Sequence, residues 1–390
     1  MKSRLALIAA LSAASCGAYA QSNVTLYGIL DEGLGFVSNS GGKHLYSMSS
    51  GNMQGNRWGL RGTEDLGGNL KAIFAIENGF DPSTGKLGQG GLEFGRQAYV
   101  GLSGDFGAVT LGRQYDSVVD YVGRLEFGDQ FGGSITAHTG DIDNFNNSYR
   151  VNNAIKFKSA SYLGLTFGGL YSLGGIAGQP GRNQIYSLGA GYTNGPLTLG
   201  IGYLNVRNPN VSFFGNSTSG TVSATTSNVT SPVYAGYGSA NTYQVIGAGG
   251  AYRLGAAMIG ATYSNIKFAS LGASYASPFA GQSATFNNGE VSLLYRATPA
   301  LLLGTAYDYT RGGQLQGRSA AQYHQASLGI DYFLSKRTDL YAVGVFQRAL
   351  GDTLSTSGTT VVPAVASISG LTASTNRNQL AVRVGIRSKF

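Results

Sequence analysis

Val24-Thr-Leu-Tyr-Gly-Ile-Leu-Asp31 places Val24, Leu26, Gly28 and Leu30 on one face of an extended chain, and Thr25, Tyr27, Ile29 and Asp31 on the other. A period of two with one apolar face predicts a strand between an apolar medium and a wetter one. The pattern returns at Arg57-Trp-Gly-Leu-Arg61, at Leu70-Lys-Ala-Ile-Phe-Ala-Ile-Glu77 and at Val151-Asn-Asn-Ala-Ile-Lys-Phe-Lys158. It closes the chain, where Leu380, Val382, Val384 and Ile386 alternate with Ala381, Arg383, Gly385 and Arg387 before Phe390. These runs extend over about 10 to 14 residues, the length a tilted strand needs to cross a bilayer and about twice that of an average soluble strand.

The connections come in two lengths that alternate. Short ones lie at 63–69, 103–107, 159–164, 193–196, 253–255, 297–299 and 334–338, and long polar ones at 37–50, 80–92, 116–147, 175–184, 207–241, 268–285, 311–320 and 350–376. Seven short and eight long connections join sixteen strands. Turns at one rim and loops at the other predict an all-β fold, a 16-stranded antiparallel transmembrane β-barrel with an aqueous lumen. Its last strand must pair with its first, because a lipid-exposed edge would leave backbone groups unsatisfied. The most apolar long segment, Val245 to Tyr263, is interrupted by Arg253 and several glycines and does not read as a membrane helix. The Ser, Thr, Asn and Gly tracts at 208–240 and 351–376 read as loops, since strands continue on both sides.

Before the first strand, Lys2 and Arg4 precede an apolar run from Leu5, and Ala18-Tyr-Ala20 supplies a small-residue cleavage site. Residues 1–20 therefore read as a cleaved signal peptide, leaving 21–390 as one barrel domain. Cys16, the single cysteine, would leave with the signal, which excludes disulfides and thiol chemistry. Without Lys2 and Arg4 the formal charge falls from +8 to +6. The basic residues are dispersed rather than clustered on one helix or arm, so the excess does not read as a nucleic-acid surface.

Against this basic background the connection 116–147 is an acidic island. It carries Asp116, Asp120, Glu126, Asp129, Asp141 and Asp143 against one basic residue, Arg124. Asp116 and Asp120 lie nearest the strand end, while Asp141 and Asp143 read as solvated loop residues. His44, His138 and His324 sit in or beside loops without metal-binding spacing, and neither a nucleophile elbow nor a phosphate-binding loop is present. No metal, cofactor or catalytic group is expected.

Taken together, Val24-Thr-Leu-Tyr-Gly28, Arg57-Trp-Gly-Leu-Arg-Gly-Thr-Glu-Asp-Leu-Gly67, Arg96-Gln-Ala-Tyr-Val-Gly-Leu102, Leu111-Gly-Arg-Gln-Tyr-Asp116 and the terminal Phe390 resemble the general diffusion porins of Gram-negative bacteria, of the trimeric β-proteobacterial type. The resemblance spans essentially the whole chain after residue 20. It implies a homotrimer in the outer membrane, surrounded by lipid and lipopolysaccharide, with both termini periplasmic. In this family the third extracellular loop folds inward and narrows the pore, which assigns that place to 116–147. Arg57, Arg113 and Arg150 match the family's basic wall, Arg96 matches a further basic position, and Arg61 and Lys71 are adjacent candidates. Both Glu126-Phe-Gly and Phe131-Gly-Gly133 resemble the bend of the loop, so Glu126 and Asp129 are not assigned separately. The expectation is passive diffusion of small hydrophilic solutes and ions, with moderate anion preference. Alternatives are a solute-specific anion channel, or a plugged barrel acting as adhesin or enzyme.

Overall fold

The alternating segments form strands wherever they were expected. The computed structural model describes residues 23–215 and 220–390, so the signal peptide expected at 1–20 lies outside the described residues. Along the chain run β1 (Asn23–Ser40), β2 (Lys43–Ser50), β3 (Arg57–Gly67), β4 (Leu70–Gly79), β5 (Gln97–Gly104), β6 (Gly107–Gln114), β7 (Val151–Ser159) and β8 (Leu165–Ser172). They are followed by β9 (Ile185–Asn194), β10 (Leu197–Arg207), β11 (Thr242–Leu254), β12 (Ala257–Ala269), β13 (Ala284–Thr298), β14 (Leu301–Gly312), β15 (Gln322–Phe333) and β16 (Thr338–Leu350). A small hairpin, β17 (Asp352–Leu354) and β18 (Val361–Pro363), decorates the last loop before β19 (Asn378–Lys389).

All but the small hairpin belong to one antiparallel sheet of seventeen segments. The long β1 pairs with β3 through residues 23–29 and with β2 beyond residue 32, so β2 and β3 share one position in the wall. The barrel therefore has sixteen staves. It closes where residues 29–37 of β1 pair with 381–389 of β19. Phe390 extends the seam: its amide donates to the Gly28 carbonyl at 3.1 Å, and the Gly28 amide donates to the Phe390 carbonyl at 3.0 Å.

The two faces separate as the period-two pattern requires. Leu26, Leu188, Ile201, Ile246, Ile259 and Leu328 point outward and are exposed, whereas Thr262, Ser264, Asn288, Gln325 and Gln347 are buried on the lumen side. Lipid takes the place of a packed core on the outer face, and strand pairing satisfies the backbone. The aromatic residues divide by the same alternation: Tyr192 and Tyr203 share the outward phase of Leu188 and Ile201, while Tyr27 donates to Glu77 at 3.0 Å inside and Tyr99 lines the lumen beside Arg61.

The first long connection is a departure from expectation. Residues 37–50 are not a loop but the upper arms of β1 and β2, joined at Gly41-Gly42 with φ of 62° and 101°. Two successive positive φ values suit a tight hairpin and favour glycine. The true interruption is 51–56, between β2 and β3, which turns into the lumen. Buried Asp31 holds it there, accepting from the Met53 and Gln54 amides at 2.8 Å each and from the Tyr341 hydroxyl at 2.5 Å.

After β6 the chain also turns inward. Asp116 caps a short helix, α1 (Ser117–Tyr121), accepting from the Val118 and Val119 amides at 2.8 and 3.2 Å. From α1 the loop follows the inner wall past β9 to β15. Glycines admit it: a methyl group on Gly200 would collide with the Tyr121 carbonyl, and one on Gly304 or Gly329 with the Phe131 ring. The tip then meets the inward segment 51–56, where the Ser134 amide donates to the Asn52 carbonyl at 3.2 Å. Met53, Phe127, Phe131 and Ile135 pack together at this junction.

Candidate functional site

With the loop laid against β9 to β15, the lumen narrows toward β3 to β7. Arg57, Arg96, Arg150 and Asp129 line one cavity of about 250 Å³ together with Gln54, Gln89 and Ser148. Arg57 comes from the start of β3, Arg96 from the loop before β5 and Arg150 from the residue before β7. Tyr115 organises two of these guanidiniums: its hydroxyl accepts from Arg96 at 3.0 Å and from Arg150 at 3.3 Å, and the Arg150 guanidinium lies 5.1 Å from its ring centre. Arg96 also forms an ion pair with Glu77 at 2.7 Å. Burial alone would lower the Arg96 pKa, but Tyr115 and Glu77 raise it above its ordinary value.

The other basic candidates stand around this group. Arg113 is buried and donates to the Gly95 carbonyl at 2.8 Å and to Asn152. Arg61 lies toward the short-turn rim, 5.3 Å over the Tyr27 ring, and Lys71 is exposed near the same rim on β4. Arg383 on β19 also faces the loop, donating to the Ser134 hydroxyl at 3.4 Å. Glu77 and Arg383 were legible as inward positions of their alternating runs, yet nothing in those runs marked them as neighbours of the arginine cavity or the inward loop. Tyr115 carried no such signal.

The acidic candidates separate into three environments. Asp129 is exposed beside the arginines. Asp120 pairs with Lys156 at 2.5 Å, and Asp116 is consumed as the α1 cap, where burial pushes its pKa up to about 6. Glu126, sequence-paired with Asp129 at the bend, points the opposite way and is fully buried against the wall.

That buried side holds a polar network absent from the sequence-based picture. Glu126 accepts from the His138 amide at 2.7 Å, and the His138 ring meets Asp143 at 2.7 Å and the Thr262 hydroxyl at 3.2 Å. Ser264 donates to Asp143, and Glu290 on β13 accepts from the Phe127 amide at 2.8 Å. Glu290 and Asp308 approach the other ring nitrogen of His138 at 3.9 and 4.0 Å. Burial would keep His138 neutral, but Asp143 and Glu126 push its pKa well above the ordinary value. Against its burial, His138 in turn holds Asp143 below the usual carboxylate range. Burial pushes Glu126 well up, against the opposing attraction of His138. These directions favour charge on the His138–Asp143 pair and the neutral form of Glu126. Asp143 is thus not a solvated loop residue. Neither is Asp141, which is buried and accepts from the Asn146 and Ser148 amides at 2.9 and 3.0 Å.

Chemically the arrangement offers a narrow polar gap with fixed charge of both signs. Similarity to known proteins agrees with it. An outer membrane porin protein of Bordetella pertussis is 31% identical over 391 residues, covering 89% of this chain and 94% of its own. Outer membrane porin protein 32 of Delftia acidovorans is 36% identical over 215 residues, 52% of this chain and 59% of its own. Among solved structures, the anion-selective porin from Comamonas acidovorans superposes with a TM-score of 0.71 over 95% of this chain and 100% of its own, at 24% identity, a likeness of fold. The family model for Gram-negative porins matches residues 6–351, and the chain belongs to that family of outer-membrane β-barrels.

Proposed function

We propose that the chain forms a water-filled channel for passive, non-enzymatic diffusion of small hydrophilic solutes, with residues 116–147 as its constriction and a moderate preference for anions. The observation that carries this reading is the cavity in which Arg57, Arg96 and Arg150 meet a single acidic lining residue, Asp129. Charges facing each other across a narrow gap with low-dielectric walls produce a transverse field stronger than in bulk water. A polar solute aligns in such a field, while an apolar one displaces ordered water for little return. Arginine suits the basic side because it stays charged at accessible pH and presents several donors in one plane. The excess of guanidinium favours anions, and the anion selectivity of the Comamonas acidovorans porin, which shares the fold, supports the same sign. The functional unit is a homotrimer with one pore per chain.

Planar-bilayer recording tests the reading. Stepwise conductance is expected, with a reversal potential in a salt gradient displaced toward the anion value. Correctly folded protein without conductance would sink the proposal. In Arg57→Glu the reversal potential should move toward the cation value. A unit charge about 7 Å from a passing ion is worth about 1 kcal/mol at an effective dielectric near 40, so each unit shifts the permeability ratio by roughly two- to fivefold once salt screening is included.

A further inference from the structure

Three of the long connections enclose a second space beside the arginine cavity. It has a volume of about 290 Å³ and lies between the inward loop at Gly140 and Ser148-Tyr149, the segment 230–234 of the connection after β10, and residues 367–371 before β19. No charged side chain lines it. Its walls present the hydroxyl side chains of Thr230, Ser231, Ser367 and Ser369, with the apolar surfaces of Pro232 and Leu371 beside them. Among the described residues, none of these four hydroxyls has a hydrogen-bond partner.

The frame around these hydroxyls is tied to the barrel. Gly140, at φ of 67°, lies so close to the next loop that a methyl group on it would come 2.6 Å from the Ser231 hydroxyl. Tyr149 packs edge-on against Phe214 with ring centres 4.8 Å apart, and its hydroxyl meets that of Tyr234 at 3.4 Å. On the side of the last loop, the Ser367 amide donates to Gln347 of β16 at 2.6 Å and the Ile368 amide to Gln379 of β19 at 2.9 Å. Backbone groups thus hold the walls in place while the hydroxyls stay available. A site ordered in this way loses little freedom when a solute enters.

Neutral hydroxyls beside apolar carbon match a sugar ring, which carries hydroxyls at its edge and C–H groups on its faces. An apolar ring of the same size would strip water from the serine hydroxyls and leave them unpaired. The neighbouring cavity decides what else the solute carries. Ser148 lines both spaces, and Arg150 donates to the Ser148 carbonyl at 2.9 Å. We infer that the two spaces together form a subsite for a hydroxylated ring bearing one anionic group, with the ring against Ser231, Ser367 and Ser369 and the anion at Arg150 and Arg57. The inference rests on the channel reading and names a solute class for it. Guanidinium groups make charge-assisted bonds to carboxylate or phosphate. The hydroxyl pocket then separates a sugar anion from a bare anion of equal charge, which a transverse field alone does not.

The test uses the refolded full-length protein and four probes: glucuronate, glucose 6-phosphate, glucose, which lacks the anion, and cyclohexanecarboxylate, which lacks the hydroxyls. In planar bilayers each is titrated against the chloride conductance. Glucuronate or glucose 6-phosphate should halve it at a concentration about fivefold or more below that of glucose and of cyclohexanecarboxylate. The lower value of the two sugar anions tells carboxylate from phosphate. In Ser231→Ala/Ser369→Ala that advantage should shrink about fivefold or more, with chloride conductance and reversal potential as in the parent. Equal half-blocking concentrations for the sugar anions and cyclohexanecarboxylate, or an unaltered advantage in the variant, would overturn the inference. Saturation-transfer NMR in detergent reads contact with the ring protons without conduction. Stronger transfer to the sugar anions than to the other two probes, in protein that does not conduct, would count against the channel reading alone; transfer no stronger would overturn the inference. If the double variant does not fold, Ser231→Ala and the probe comparison on the parent decide.

Discussion

Asp129 and Glu126 stand three positions apart in the sequence and on opposite sides of the loop in space. The first lines the arginine cavity and the second is closed against β13, so their substitutions should separate. Asp129→Asn removes the acid nearest the arginines and should raise anion over cation permeability roughly two- to fivefold. Glu126→Gln removes no charge from the gap, and its reversal potential should match the parent's. A shift in the second variant equal to that in the first would show that Glu126 senses the permeating ion. Asp116 belongs to neither case. As a helix cap it should cost about 1 kcal/mol on replacement by Ala, visible as a lower unfolding temperature rather than altered selectivity.

At the scale of the loop, attachment depends on two devices. One is steric: Gly200 lies beneath the Tyr121 carbonyl, and Gly200→Val should push the loop from the wall at a cost of about 1–3 kcal/mol. The expected result is noisier, more variable conductance in a barrel that still folds; a quiet trace at the parental level would disprove the steric role. The other is ionic. Because the folded pKa values of His138 and Glu126 are both raised, the attached loop holds their protons more tightly than a released loop. Their contribution is full at low pH and is lost as pH rises through the raised values. Asp143, held low, acts oppositely, and its contribution fades only as pH falls below about 4. Brief closures or conductance fluctuations should therefore increase as pH rises above the ordinary histidine range, and His138→Phe should weaken that dependence, leaving the share carried by Glu126. Fluctuations independent of pH in the parent would refute the ionic device.

The whole barrel depends on one seam. Phe390 exchanges two backbone hydrogen bonds with Gly28, and its ring occupies the space a side chain at Gly28 would need. Deleting Phe390 shortens the closing ladder at its end, where fraying would expose backbone groups to lipid. Refolding yield into vesicles should drop severalfold, measured by protease resistance, while protein that does fold keeps parental conductance. Undiminished yield would show that the remaining register between β1 and β19 suffices.

Much of this molecule was legible without its structure. Alternation at Val24 to Asp31 and Leu380 to Arg387 defined lumen and lipid faces, because the side-chain period of a strand is fixed at two. The alternating connection lengths set the number of staves for the same kind of local reason. Even the first hairpin, misread as a loop, was announced by Gly41-Gly42. What stayed hidden was which acids face the pore. The positions of Glu126 and Asp129 depend on wall glycines, on Asn52 and on Glu290, groups brought together only when sixteen strands close around the loop. Local sequence determines which way a strand residue points, since its backbone geometry repeats. A loop has no such repeat, and its side chains take their direction from whatever wall the closed barrel presents.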